Sequence, residues 1–450
     1  MALRILLVRH GLSSFNLEHR IQGRDDLSNL TETGVQQALA TGEALRDLTI
    51  DAAYSSPLRR AHDTATALLA AQGGGLEPQL DDDLLEVDLS PWTGLLGHEV
   101  RERFPHEHRL WYHHPEQLEL ERADGSRYAP IPELMEQAGR FAERLLAAHD
   151  PSAPGQRTVL VVGHNAILRC LLLRLLGLPA SGFRRLRLDN ASLSVLNLSP
   201  AERGGVAVQI ESLNGTAHLH AERCASTLPA KGPGPRLLLV RHGETDWNRQ
   251  GRFQGQIDIP LNASGHAQAA AAGDFLRRVP FARAYTSSMS RPRQTAEGIL
   301  RHHKGVPLTS VADLVEIGHG DWEGCLEEEI ADQWGELLAA WKRAPETVQM
   351  PGGETIHDVW ERSLQGWNRI AASLDAQETA LVVAHDAVNK TILCALLGLS
   401  PADIWAVKQG NGGVTVIDYP HGADQPPVVV CLNQTAHLGG VLDRTAAGAL

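Results

Sequence analysis

Cysteine is scarce in this chain of 450 residues: there are five, odd in number, widely separated and never in a CxxC pair. That pattern gives neither a disulfide framework nor a zinc knuckle, and a reducing, cytoplasmic compartment is its simplest setting. Long apolar runs are also missing, so no segment reads as a membrane span. The N-terminus enters a strand-like run at once, without the pattern of a secretory leader. No GxxxxGK[ST] loop occurs, which sets aside a fused P-loop kinase. Excess positive charge is absent as well: 41 Lys and Arg face 54 Asp and Glu, a formal net charge of −13. This balance argues against nucleic acid or an anionic membrane as partner. It leaves room for a small anionic ligand held by a local cluster of Arg and His.

What is present is ordinary in bulk, with 43% hydrophobic and 21% charged residues. The length suits two or three domains with full cores. The order is less ordinary, because the chain is written twice. Arg9-His10-Gly11 follows the apolar run Ile5 to Val8, and Arg241-His242-Gly243 follows Leu237 to Val240. Arg60 in YSSPLRRA matches Arg291 in YTSSMSRP. Glu86 in LLEVDLSPWTG matches Glu316 in LVEIGHGDWEG, and His164 in VLVVGHNA matches His385 in ALVVAHDA. Even the ends agree, LNGTAHL from Leu213 with LNQTAHL from Leu432. Such constant offsets mark a tandem duplication of whole domains. We place unit one at 1–220, a Pro- and Gly-rich linker at 221–235, unit two at 236–440 and a frayed or docking tail at 441–450.

The offset is 230 between Glu86 and Glu316 but 221 between His164 and His385. Unit one therefore carries nine extra residues between Glu86 and Glu133. That stretch contains HEHRLWYHH, His106 to His114, whose spacing fits no standard metal-ligand pattern; a solvated loop or helix face is expected, and no metal.

Each unit reads as alternating apolar strands and helices. Strands are expected at Arg4–Arg9, Ala52–Ser55, Thr158–Val162, Leu193–Leu198 and Val206–Leu213. Thr31 looks like the N-cap of a helix to about Leu48, with Val35, Ala38, Gly42 and Leu45 on its apolar face. Further helices are expected around Arg60, at Leu134–Ala148 and at Ala166–Leu176. Unit two repeats the order, with helices from Asn262, after Arg291, at Glu327–Lys342 and at Thr355–Ser373. The fold class is α/β: a mostly parallel sheet covered by helices on both faces.

Each unit thus supplies two His, two Arg and one Glu, several of them at the carboxyl ends of strands, where open α/β sheets bind ligands. The set suits a phosphoryl group. Planar guanidinium forks hold its oxygens. A neutral imidazole is a nucleophile toward phosphorus. The second His stabilises charge on the oxygens. A carboxyl protonates the leaving oxygen and then deprotonates the attacking water. Neither a metal nor an organic cofactor is required by this chemistry.

LVRHGETDWNRQGRFQGQIDIPLNASG, residues 239 to 265, resembles the signature of the histidine phosphatase superfamily, also called phosphoglycerate mutase-like. LVRHGLSSFNLEHRIQGRDDLSNLTETG in unit one resembles it almost as well, with Leu12 where unit two has Glu244. The resemblance implies two tandem domains, each a three-layer α/β/α sandwich. It implies phosphorylation of His10 and His242, with Glu86 and Glu316 as proton donors. It also implies Arg9, Arg60 and His164, and Arg241, Arg291 and His385, as phosphate ligands. Asn16 with Gly23, and Asn248 with Gly255, would line the pockets.

Mutases of this family resemble one another in a YGxLxGLNK stretch after the Glu. Here Leu89 and His319 stand at the Tyr position, Gly97 and Glu327 at the Lys position, and no matching Arg pair is evident. Those groups would retain an intermediate, so their absence favours transfer of the phosphoryl group to water. MPGGET, Met350 to Thr355, resembles a loop of family phosphatases. The expected activity is hydrolysis of a small phosphorylated metabolite, with two alternatives. One is phosphoglycerate mutase. The other is one catalytic unit beside a phospholigand-binding or scaffolding unit, with unit one the departed copy on account of Leu12, Pro91 and Asn165. The tandem layout, EVDLSPWTGLLGHE and the LNxTAHL endings are similar to plant-type 2-carboxyarabinitol-1-phosphate phosphatases, which implies a sugar phosphate. The oligomeric state is left open.

Overall fold

A computed structural model of the chain describes residues 3–202, 204–219 and 228–446. The chain divides into two compact units between Leu219 and His220. Part of the expected linker, 221–227, and the last four residues of the expected tail lie outside the described residues.

Unit one contains strands β1 (Leu3–Arg9), β2 (Ala52–Ser55), β3 (Gln79–Leu80), β4 (Leu120–Glu121), β5 (Arg127–Tyr128), β6 (Arg157–Gly163), β7 (Leu193–Pro200) and β8 (Val206–Gly215). Its helices are α1 (Ser14–Leu17), α2 (Glu32–Ala44), α3 (Arg59–Gln72), α4 (Gly97–Arg103), α5 (Pro105–His113), α6 (Pro130–Ala148) and α7 (Asn165–Leu175). The sheet runs β3-β2-β6-β1-β7-β8. Its first four strands are parallel, and β7 and β8 return antiparallel. Ile5, Leu6, Leu7 and Val8 are all buried although successive side chains point to opposite faces, so the strand must be covered on both sides. Two helix pairs supply the cover, α2 against α3 and α6 against α7.

Unit two repeats the plan. Its strands are β9 (Arg236–Arg241), β10 (Arg283–Thr286), β11 (Leu308–Ser310), β12 (Thr379–Ala384), β13 (Val414–Asp418) and β14 (Val428–Gln434). Its helices are α8 (Asp246–Gln250), α9 (Ala263–Leu276), α10 (Ser290–Leu300), α11 (Glu327–Arg343), α12 (Ile356–Ala372) and α13 (Asp386–Leu397). The sheet order is β11-β10-β12-β9-β13-β14.

Register places the site. β1 and β6 pair in parallel with Arg9 opposite Gly163, and β9 and β12 with Arg241 opposite Ala384. The next residue on each strand is a histidine. His10 and His164, like His242 and His385, therefore leave the carboxyl edge side by side.

Thr31 caps α2 through its side chain, which accepts from the Gly34 amide, and Asn262 caps α9 in the same way. Val35 departs from expectation: it is 38% exposed. Gly34 takes the inward place instead, because α2 lies against the turn after β1. A Cβ added to Gly11 would stand 2.4 Å from the Gly34 carbonyl oxygen. α6 begins at Pro130, four residues before Leu134, since proline suits a first helical turn. The nine extra residues of unit one fall in the β4–β5 hairpin: Leu120 and Met350 still share the offset of 230, whereas Pro130 and Pro351 share 221. Most of the His-rich run forms α5.

Candidate active site

His10 and His242 are buried at the turn that follows β1 and β9. Nδ1 of His10 lies 2.8 Å from the Gly11 carbonyl oxygen, and Nδ1 of His242 lies 2.7 Å from that of Gly243. A carbonyl only accepts, so Nδ1 carries the proton in both rings and Nε2 keeps its lone pair. In unit two Nε of Arg291 donates to that Nε2 at 3.3 Å, as this tautomer requires. Burial first, then the neighbouring guanidiniums, hold both histidines well below the usual imidazole range. Each is therefore held neutral.

His164 and His385 stand next to them, with ring centroids 5.1 Å and 5.2 Å away. Their tautomer is the same one. Ser56 Oγ accepts from the Leu58 amide and lies 2.8 Å from Nε2 of His164; Ser287 Oγ accepts from the Met289 amide and lies 2.9 Å from Nε2 of His385. With the amide bond accepted, each hydroxyl has its proton free for Nε2, and that choice places the proton of the second histidine on Nδ1. That Nδ1 is buried and has no partner among the described residues in either unit.

The arginines are aimed by backbone carbonyls. Arg9 donates to Leu188 and Arg241 to Gln409; Arg60 donates to Asp25 and Gly23, and Arg291 to Ile257 and Gly255. Nε of Arg9, Arg60 and Arg241 has no partner among the described residues. Orphaned donors are costly in a buried site unless a ligand takes them. Arg9 and Arg60 border the same cavity as His10, and His164 and His385 stand beside His10 and His242.

Glu86 accepts from the amides of Val87, Ala166 and Ile167, and Glu316 from those of Ile317, Asp386 and Ala387. Each carboxyl thus rests on the N-terminus of the helix that follows the second histidine, α7 or α13. Glu316 is raised above the usual carboxyl range by burial first and by Asp386 second. In unit one Arg9, His10, Arg60, Glu86, Asn16 and Gly23 border one cavity of about 230 Å³.

Asn16 and Asn248 do not face the site alone. Asn190 donates to the Asn16 side chain and to the His10 carbonyl, and Asn411 donates to Asn248 and to the His242 carbonyl. These two asparagines, the serines and the pair Thr64 and Thr295 were missed by the reading of the sequence. Each threonine hydroxyl accepts from the glycine amide that follows His10 or His242. YSSP and YTSS recur at matched positions and carried the serine signal, but a lone serine beside an arginine has no reading without the geometry.

The comparisons with known proteins follow the same lines. The model of the histidine phosphatase superfamily (branch 1) matches residues 5–210 and again 237–434. The chain belongs to that superfamily. The class of enzyme comes with it, a phosphomonoesterase. The 2-carboxy-D-arabinitol-1-phosphatase of Triticum aestivum is 30% identical over 97% of this chain and 87% of its own length. Phosphoserine phosphatase 1 of Hydrogenobacter thermophilus is 32% identical over 45% of this chain and 94% of its own. A 2,3-bisphosphoglycerate-dependent phosphoglycerate mutase 2 of Gloeobacter violaceus is 36% identical over 38% of this chain and 80% of its own. The tandem superfamily member therefore has relatives of one unit and of both. No helix among the described residues is long and apolar enough to cross a membrane.

Proposed function

We propose that the protein hydrolyses small phosphomonoesters, sugar phosphates or phosphoacids, through a phosphohistidine formed on His10 in unit one and on His242 in unit two, without a metal. The observation that carries this reading is the set of unpartnered buried donors around a neutral imidazole: Nδ1 of His164, next to His10, with Nε of Arg9 and Arg60 on the cavity that His10 borders, and Nδ1 of His385, next to His242, with Nε of Arg241. A phosphoryl group supplies the acceptors they lack. Nε2 of the nucleophile attacks phosphorus, the guanidiniums and the second histidine neutralise the oxygens, and the glutamic acid protonates the leaving alcohol. The same glutamate, now ionised, takes a proton from water as water attacks the phosphohistidine. The positive charge that a metal would bring is supplied by arginine.

Both units hold the five residues on matched hydrogen-bond partners, save that Nε of Arg291 donates to His242 where Nε of Arg60 has no partner, which supports two working sites over one working site and one scaffold. The test is a rapid acid-free quench with labelled substrate. Base-stable, acid-labile label is expected on His10 and His242, and the His10→Ala, His242→Ala double variant is expected to release no phosphate. Full phosphate release by the double variant would sink the reading. Efficient conversion of 3-phosphoglycerate to 2-phosphoglycerate with little free phosphate would establish a mutase instead.

A further inference from the structure

The two units differ at three matched positions on the rim of the site. Unit one has Asn165, Arg169 and Arg184 where unit two has Asp386, Lys390 and Trp405, all at the offset of 221. Arg169 borders the cavity of unit one and is 9% exposed. It has no carboxylate within ion-pair distance among the described residues. Its Nε has no hydrogen-bond partner, and its guanidinium lies 5.1 Å from the Phe183 ring centroid. Arg184 borders the same cavity, 4.9 Å over the Trp111 ring, and donates through Nε to the Trp111 carbonyl. Burial first, then Arg184 and Arg9, bring Arg169 down to about 9. Apart from Arg20, which is paired with Glu18, four guanidiniums here face the one carboxyl of Glu86. A buried cation crowded by like charges is costly unless an anion joins it.

Unit two has solved the same problem internally. Lys390 is paired with Asp386 at 3.0 Å and lies 5.0 Å from the Trp405 ring centroid. Asp386 also approaches Arg241, at 3.9 Å. The cation there is neutralised before any ligand arrives.

Resting on the phosphatase reading of the site, we propose that Arg169 and Arg184 form a second-anion subsite, so that unit one takes phosphomonoesters bearing a further carboxylate or phosphate, while unit two takes phosphomonoesters without one. A planar guanidinium offers two parallel N–H bonds to either oxyanion. The two units of one chain then divide substrates by charge.

The test uses the full chain. His242→Ala leaves unit one as the working site, and His10→Ala leaves unit two. Glycerol 3-phosphate, 3-phosphoglycerate and glycerol 1,3-bisphosphate differ only in the group at the far carbon: hydroxyl, carboxylate or phosphate. For His242→Ala we expect kcat/KM at least about tenfold higher with a second anion; which of the two charged compounds leads names the anion. Adding Arg169→Gln is expected to raise KM for that compound about tenfold or more while leaving glycerol 3-phosphate unchanged, and Arg169→Lys to recover part of the loss. His10→Ala should show no such preference. Because Arg169 is an unpartnered buried cation, Arg169→Gln should unfold at the same temperature or higher, which separates lost recognition from lost fold. Equal kcat/KM for all three compounds in His242→Ala, or an equal loss for all three on Arg169→Gln, would overturn the proposal. If His242→Ala turns over none of them, calorimetric Kd values on that variant decide by the same ordering. Phosphate release by the double histidine variant would instead overturn the phosphohistidine reading, a separate result.

Discussion

The carboxylate of Asp443 occupies in unit two the place that the carboxylate of Asp189 occupies in unit one. Asp189 accepts from the Asn214 side chain at 3.1 Å and pairs with Arg187 at 2.9 Å. Asp443 accepts from Asn433, the match of Asn214, at 3.4 Å and pairs with Lys408, the match of Arg187, at 3.4 Å. The residue of unit two that matches Asp189 in sequence is Gly410, and a Cβ there would lie 2.6 Å from the Asp443 carboxylate. The tail thus fills from outside the repeat a position that glycine leaves open. Thr445 accepts from the Asn411 amide at 3.1 Å, so the tail also braces the asparagine that holds the His242 carbonyl.

Removing that brace should loosen unit two alone. Asp443→Ala in the His10→Ala background is expected to lower kcat/KM by about tenfold, the scale of one buried charge-assisted hydrogen bond, and to leave the His242→Ala background unchanged. Adding Gly410→Asp to Asp443→Ala restores the arrangement of unit one and should recover most of the loss. Steady-state kinetics of these variants against their parents check it; no recovery would show that the two aspartates are not equivalent.

Ser56 and Ser287 set the tautomer of the second histidine. With Ser287→Ala, Nε2 of His385 loses its donor and the proton is free to move from Nδ1, which then no longer faces the phosphoryl oxygens as a donor. The expected cost is about 10- to 100-fold in kcat with a smaller change in KM, measured in the His10→Ala background. A Ser287→Thr variant keeps the hydroxyl and should keep most of the rate. Equal rates for Ala and Ser would show that the ring needs no such help.

Much of this was legible in the sequence because apolar strands, glycine turns and a duplicated pentad are local signals. The strands ending at Arg9 and Arg241 and the caps at Thr31 and Asn262 follow from a few adjacent residues. What escaped is set by side chains brought together from distant segments. Val35 has the right helical spacing for the core, yet the close approach of Gly11 and Gly34 turns it outward. The asparagines 190 and 411 lie far along the chain from the histidines they hold. Asp443 stands outside the repeat altogether, so no comparison of matched positions could find it. Arg169 and Lys390 look like a conservative pair until their carboxylate partners, none among the described residues for Arg169 and Asp386 for Lys390, are seen.

The approach of α2 to the turn after β1 should be intolerant of any side chain. Gly11→Ala places a Cβ 2.4 Å from the Gly34 carbonyl oxygen, and Gly243→Ala places one 2.5 Å from that of Gly265. Neither neighbour is the end of a flexible side chain, so a helix must move. Overpacking of this kind costs about 1–3 kcal/mol, to be read as a lower midpoint in urea unfolding. Since the same turn carries the nucleophile, activity of the altered unit should fall with it. An unchanged midpoint for both variants would mean that the helices shift freely.

The pH response of unit two follows from the carboxyl of Glu316. Burial, and then Asp386, raise it above the usual range, so it keeps its proton to higher pH than an ordinary glutamic acid. In the proposed reaction that protonated form is the acid toward the leaving oxygen. In the His10→Ala background kcat/KM should therefore fall as pH rises through the raised value. Asp386→Asn, which gives unit two the residue that unit one has as Asn165, removes the second cause and leaves burial. The carboxyl then loses its proton earlier, and the falling limb moves to lower pH. A pH profile of kcat/KM for the two variants measures the shift. A limb that stays in place, or moves up, would show that a group other than Glu316 supplies the proton.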